Sequence, residues 1–251
     1  MSNNAAYDMS LLQTANLIGA IGTHQTVLMQ GHIGTGKSST LKIVGEQFPK
    51  HTLCYLDCTT KDLGDLCIPN VMIIDKDSGF VRYVPNEELG LHLDGPVIIM
   101  IDEYGKANTA VQLGLLALMQ ERKMGNRVLH PESIVFATTN LGAEGVGDIL
   151  KPHACNRITI VRVRKPTADE WINWGLENDV EPMLLSWVRE TPQVMTSFEE
   201  ITDPSENEYI FHPKAMRVSF VTPRSLEAAS NIIKRRDVLD DHCITAALIG
   251  T

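Results

Sequence analysis

The chain has 251 residues, with 22 Lys and Arg against 31 Asp and Glu, a net charge of −9, 43% hydrophobic residues and 21% charged ones. That length suits one large domain or a core with a small appendage, and the composition is ordinary for a globular protein. No stretch approaches the ~18–20 apolar residues of a membrane span, residues 1–8 lack the basic and apolar regions of a signal peptide, and the acidic balance makes a poor non-specific nucleic-acid binder, although a local basic surface is compatible with it.

Ser10 to Gly22 reads as a helix, capped by Ser10 and ended by Gly22. Gln25 to Gln30 is apolar and β-branched, a short buried strand. The next eight residues, Gly31-His32-Ile33-Gly34-Thr35-Gly36-Lys37-Ser38, match G-x-x-x-x-G-K-[ST] at every fixed position. Ser38 to Phe48 then reads as a helix, with Leu41, Val44 and Phe48 at helical spacing and Pro49 as the stop. Strand, glycine loop and helix together make a phosphate cradle. The glycines let successive backbone N–H groups converge on phosphate oxygens where a Cβ would collide. The helix points its positive dipole end at the same anion. Lys37 can reach β- and γ-phosphates, and Ser38 can offer its hydroxyl to Mg²⁺. Gly31 to Ser39 are therefore the candidate nucleotide-binding residues. His32 and Ile33 occupy variable positions, and His32 is expected to cap or face solvent.

Thr52 to Asp57 reads as a second buried strand. The five cysteines include Cys54 and Cys58 beside it; the odd count and the lack of a C-x-x-C pair argue against a disulfide framework or zinc site. Both are expected to be small core residues, and a cytoplasmic location follows. Asp62 to Leu66 is a short helix or turn. Val71–Asp75 and Phe80–Val84 are β-rich runs around Lys76-Asp77-Ser78-Gly79, a hairpin signal within an insert at about 68–85. It is either a packed edge of the core or a projecting device that touches substrate.

Pro96-Val97-Ile98-Ile99-Met100-Ile101-Asp102-Glu103 is the most apolar run and suits a central parallel strand buried on both faces. Ligands of open α/β sheets sit at the C-terminal strand ends, which brings Asp102 and Glu103 toward the phosphates. Asp102 can hold Mg²⁺ as a Walker B acid, and Glu103 can act as general base toward water; a plain acidic turn is the alternative. Residues 110–121 form an amphipathic helix through Val111, Leu115, Leu118 and Met119. Residues 124–129 read as a short hairpin turning at Gly125-Asn126. Ser133 to Asn140 is another buried strand, whose Asn140 orients water or contacts the γ-phosphate, or else caps the next turn. Gly142, Gly145 and Gly147 loosen the following loop. Asn156-Arg157 precede a fifth strand, residues 158–163, and Pro166 marks a boundary.

Beyond it the pattern is helical over 168–177, where Trp171 and Trp174 are expected to anchor a core, and over 182–190. Residues 191–213 are polar and poorly periodic, a long irregular segment. Thr222-Pro223-Arg224 opens another helix, to about Arg235, and 240–250 is a last helical stretch. Its apolar end leads us to expect that the natural chain runs past Thr251 or that this helix docks on a neighbour. No internal repeat or low-complexity segment is present.

The motifs Gly31 to Ser38, Asp102-Glu103, Ala137-Thr138-Thr139-Asn140, Asn156-Arg157 and Thr222-Pro223-Arg224 occur in the order of an AAA+ ATPase. More narrowly the chain resembles the MoxR branch and its CbbQ and NorQ relatives. Asp102-Glu103-Tyr104-Gly105-Lys106-Ala107 followed by Met119-Gln120-Glu121-Arg122 is similar to that branch's D-E-x-x-x-A … M-x-E-R stretch, and hairpins stand in the matching places. The resemblance covers residues ~10–165 well and the helical lid at Thr222-Pro223-Arg224. It implies a P-loop NTPase αβα sandwich with a parallel five-stranded sheet over 1–165, followed by a small α-helical lid over 166–251. It also implies ATP and Mg²⁺ as cofactors, and a homo-oligomeric ring, usually a hexamer, with ATP at subunit interfaces. Asn140 then matches sensor 1, Arg157 the trans arginine finger with Arg162 and Arg164 as rivals, and Arg224 the lid arginine, sensor 2. Tyr104-Gly105-Lys106 departs from the family's usual Asn-Arg. The implied work is remodelling or activating a protein substrate or adaptor, including partners with a von Willebrand factor A domain. A nucleic-acid motor or loader, a P-loop small-molecule kinase and a non-hydrolysing ATP switch are the competing readings. The apolar strand ending Asp102-Glu103 and the later arginines speak against the kinase, and Glu103 against the switch.

Overall fold

The structure, a computed structural model, describes residues 8–74, 78–141, 157–215, 217 and 219–251. The turn residues 75–77, the glycine loop after Asn140, and Cys155 and Asn156 lie outside the described residues. The chain forms two compact units, one containing the described residues of 8–31, 37–141 and 157–163, the other 32–36 and those of 164–251.

The first unit is built on strands β1 (Val27–Gly31), β2 (Thr52–Asp57), β5 (Val97–Asp102), β8 (Ile134–Asn140) and β9 (Thr159–Val163). They form one five-stranded sheet in the order β2-β5-β8-β1-β9, with every pairing parallel. Side chains alternate across each strand. Ile99 and Ile101 of β5 therefore enter one core with Cys54, Cys58 and Leu115, while Ile98 and Met100 enter the other with Ile18 and Val44. Helices α1 (Leu11–Ile21) and α2 (Thr40–Gln47) supply the second core; α3 (Leu63–Leu66) and α4 (Thr109–Glu121) supply the first. Two buried faces explain the unbroken apolar run of β5. Ser10 caps α1 as expected, and does so in a capping box with Gln13.

The insert is β3 (Cys67–Ile73) paired antiparallel with β4 (Gly79–Pro85) in a sheet of their own. Among the described residues it joins no strand of the large sheet, which goes against the packed-edge alternative. Ile68, Val71, Ile73, Phe80 and Tyr83 are exposed. β3 begins four residues before the β-rich run: Pro69 and Asn70 have poor strand propensity, and pairing with Tyr83 and Arg82 overrides it. The second small hairpin, β6 (Lys123–Met124) with β7 (Arg127–Val128), turns through Gly125 at φ +58°.

The second unit contains α5 (Ala168–Glu177), α6 (Pro182–Glu190), α7 (Pro223–Ile233) and α8 (Asp241–Ile249). Trp171, Ile172, Leu185, Val188, Leu226 and Ile233 form its core. The expectation that both tryptophans anchor it holds only for Trp171: Trp174 is 39% exposed and packs its ring 6.5 Å from Trp171. Residues at i and i+3 lie ~60° apart around a helix, and only one edge of that arc faces inward. The irregular segment carries 3₁₀ turns at Pro192–Met195, Phe198–Glu200 and Pro204–Glu206, and buries Val194, Met195, Phe198 and Ile210 at spacings of no fixed period. The chain thus has the P-loop NTPase αβα fold with a parallel five-stranded sheet and a helical C-terminal portion. Among the described residues, no helix is long and apolar enough to cross a membrane.

Candidate active site at the strand ends

Register decides which side chains meet. Gly31 at the end of β1 lies opposite Asn140 at the end of β8, and Asp102 ends β5 one strand further on. Lys37 follows in a 3₁₀ turn (Lys37–Ser39) that leads into α2. Lys37 is 7% exposed, and its Nζ donates to Gly31 O and to Asn140 Oδ1, each at 2.8 Å. Asn140 Nδ2 donates in turn to Glu103 Oε2 at 2.9 Å and Oε1 at 3.2 Å. Lys106 Nζ lies 3.0 Å from Glu103 Oε2. One hydrogen-bonded chain therefore runs from the phosphate-loop lysine to the candidate base.

Glu103 has φ 54° and ψ 36°, a left-handed conformation costly for a residue with a Cβ. Its neighbours hold it there. Tyr104 is fully buried and donates to Gln112 O at 3.1 Å; Gln112 Nε2 donates back to Gly105 O (3.3 Å) and Ala107 O (3.1 Å). Such a conformation, over-determined by its surroundings, is a mark of functional positions.

Asp102 is buried and accepts four hydrogen bonds. Oδ1 takes the Thr138 hydroxyl and the Glu103 N–H (3.2 Å); Oδ2 takes Tyr55 OH (2.9 Å) and Ser38 Oγ (3.3 Å). Partial burial, the hydrogen bond to Asp102 and that anion's charge push the Tyr55 phenol well above its ordinary range. Ser38 Oγ and Asp102 Oδ2 are paired hard oxygens. They suit Mg²⁺, which takes one or two protein oxygens and completes its shell with phosphates and water. The residues present therefore fit the cation.

The middle of the loop, residues 32–36, belongs with the second unit. Gly34 and Gly36 have φ of +73° and +88°, where a side chain is strained, and a Cβ on Gly34 would come within 2.7 Å of Thr222 Oγ1. Thr35 Oγ1 donates to His32 O at 2.9 Å, and the Arg224 N–H donates to Gly34 O at 3.3 Å. The expectation that His32 caps or faces solvent is overturned. It is 4% exposed, its Nε2 lies 3.0 Å from Ser197 Oγ, and its ring meets Phe198 edge-on at 5.3 Å. An imidazole carries both an apolar ring and a polar edge, and Ser197-Phe198 offer a partner for each. Arg224 is exposed in the first turn of α7, which starts in a Thr222–Ser225 capping box.

The three candidate finger arginines differ. Arg164 forms a two-pronged pair with Glu170 (2.7 and 2.6 Å), and Arg162 Nε lies 3.4 Å from Asp8. Arg157 is exposed, with Nη1 donating to the neutral Gln120 amide at 3.2 Å. It precedes β9, whose start pairs with the start of β1, so it lies away from the strand ends that carry Gly31, Asp102 and Asn140.

Sequence reasoning missed Lys106, Tyr55 and Thr138. Lys106, three residues after Glu103 in a helical turn, had a spacing signal. Tyr55 and Thr138 had none, because their reach to Asp102 depends on strand order and register. Also missed was Arg122, the left-handed cap of α4 (φ 56°). Its guanidinium donates to Gly22 O (2.8 Å), Thr23 O (3.3 Å), Met119 O (3.0 Å) and Thr26 Oγ1 (2.7 Å). Burial lowers its pKa to about 10.

No family model matches the chain, and no curated protein matches it. Solved structures share its fold. A point mutant of RuvB from Thermogota maritima has a TM-score of 0.51 at 12% identity, over 99% of this chain and 69% of that one. Hsp104 in a closed state with ATPγS and FITC casein has 0.51 at 16%, over 89% and 41%. NtrX from Brucella abortus has 0.50 at 14%, over 96% and 54%. The chain spans about half the length of the latter two. What these neighbours share with the chain is the fold alone.

Proposed function

We propose that this chain is a Mg²⁺-dependent AAA+ ATPase of the MoxR kind, which assembles into a ring or helical homo-oligomer and uses ATP hydrolysis to remodel or activate a protein partner. The observation that carries the reading is the hydrogen-bonded chain Lys37–Asn140–Glu103. It ties a phosphate-neutralising cation to a general base through one amide, which a phosphate-binding loop used only for binding does not require.

The backbone N–H groups of residues 31–39 and the Lys37 amine bind the phosphates. Ser38 and Asp102 would hold Mg²⁺, which would supply positive charge against the phosphates. Glu103 takes a proton from the attacking water. Asn140 fixes the Glu103 carboxylate and the Lys37 amine at once. Arg157, exposed and remote from its own strand ends, is suited to reach a neighbour's γ-phosphate, and Arg224 serves as the second-unit arginine of its own subunit. The exposed hairpin and the acidic balance favour a protein partner over nucleic acid.

Phosphate release from ATP by the purified chain, followed against protein concentration, tests this reading. Activity per subunit should rise with concentration, because a trans arginine makes each site shared, and DNA should leave it unchanged. No turnover at any concentration contradicts the reading; turnover that appears only with DNA selects the motor alternative.

A further inference from the structure

We infer that Tyr55 is a positioning residue for the divalent cation, its phenol fixing the plane of the Asp102 carboxylate so that Oδ2 faces Ser38 Oγ. The inference rests on the reading of Ser38 and Asp102 as cation ligands and adds to it the residue that sets their geometry.

The carboxylate torsion of an aspartate is broad, so the donors around it decide which way its oxygens point. At Asp102 the division is even. Thr138 and the Glu103 N–H engage Oδ1, and Tyr55 and Ser38 engage Oδ2. The two contacts on Oδ2 are unequal: Tyr55 OH lies at 2.9 Å and Ser38 Oγ at 3.3 Å, long for a hydroxyl donor. Without the phenol, Oδ2 keeps only the long contact, while Oδ1 keeps both of its own.

The setting of Tyr55 makes this contact informative. Tyr55 lies on β2, the edge strand, and is 45% exposed, so its hydroxyl could be satisfied by water. It instead reaches across to β5, where Asp57 pairs with Asp102 in the register. A phenol donating to a cation-ligating carboxylate is the outer-shell arrangement whose loss costs 10–100-fold in metal affinity. Mg²⁺ is sensitive to ligand direction because it demands near-ideal octahedral geometry.

Tyr55→Phe keeps the ring and removes only the hydroxyl. Mn²⁺ serves as the spectroscopic probe, its binding to the full chain in the presence of ADP followed by electron paramagnetic resonance. The expected result is a Kd for Mn²⁺ about 10-fold higher than in the unaltered chain, with ADP affinity in the absence of divalent cation and the thermal midpoint both unchanged. The Mg²⁺ concentration for half-maximal phosphate release should rise by a similar factor. An unchanged Mn²⁺ Kd overturns the inference, and so does an equal loss of cation-free ADP affinity, which would mean general damage to the loop. Asp102→Asn separates the two levels. If it abolishes Mn²⁺ binding while Tyr55→Phe does not alter it, only the role of Tyr55 fails. If Asp102→Asn binds Mn²⁺ as tightly as the unaltered chain, or the unaltered chain itself binds none, the underlying reading fails with it.

Discussion

Replacing Asn140 by alanine should break the link that the proposed function draws between phosphate binding and catalysis. Asn140 is buried and bridges two charged groups: it accepts from Lys37 Nζ at 2.8 Å and donates to both Glu103 oxygens at 2.9 and 3.2 Å. A hydrogen bond to a charged partner contributes about 1.5–3 kcal/mol. The two losses fall on different steps. Lys37 keeps its bond to Gly31 O, so nucleotide affinity should fall less than about 10-fold. Glu103 keeps only Lys106 as side-chain partner among the described residues, at 3.0 Å, and is drawn toward it. Losing the Glu103 contact should lower kcat about 10- to 100-fold, since each ~1.4 kcal/mol is a factor of ten. Phosphate release at saturating ATP gives kcat, and titration calorimetry gives affinity. Unchanged kcat, or an affinity loss large enough to account for the whole effect, would refute the role of Asn140 as a link to Glu103.

Three further outcomes are expected. Arg122→Ala removes four donors from the cap of α4 and should lower the stability of the first unit by about 2–3 kcal/mol; a thermal midpoint equal to that of the unaltered chain contradicts this. Glu170 sits below the usual carboxylate range, chiefly through its hydrogen bond from Arg164 and helped by Thr167, so its contribution is present above the unfolded value of ~4.3 and is lost as pH falls through the lower folded one. Glu170→Gln should therefore flatten the acid limb of stability against pH, by less than about 1 kcal/mol for so exposed a pair; an identical acid limb would remove the pair from the account. Arg157→Ala should bind ATP and assemble yet turn over about 10³-fold more slowly, and mixing it with Glu103→Gln should restore part of the activity at hybrid interfaces. Mixed assemblies that stay inactive would shift the trans role to Arg162 or Arg164.

Much of the fold was legible because its signals are local. The glycine loop, the strand ending Asp102-Glu103, the capping residue Ser10 and the helix start at Thr222-Pro223 each announce themselves within a few positions. The apolar run 97–101 was readable as a doubly buried strand because both of its faces are covered. What stayed hidden depends on which strands become neighbours. Nothing near Tyr55 in the chain signals Asp102, and the bond between Lys37 and Asn140 spans 103 positions. His32 misled because a variable loop position carries no periodicity to mark burial, and its partner Ser197 lies in a segment that reads as plain loop. That same segment buries Phe198 and Ile210 without a regular period, so hydrophobic spacing could not reveal it.

The central claim is that Lys37, Asn140 and Glu103 form a site that hydrolyses ATP as well as binding it. Glu103→Gln tests this most directly, because it keeps the shape of the side chain and removes its basicity. ATP with Mg²⁺ is titrated into the variant and into the unaltered chain, and phosphate release is followed on the same samples. Binding within about threefold of the unaltered chain, with turnover lower by about 10²-fold or more, is the expected result. Turnover equal to that of the unaltered chain would contradict the claim.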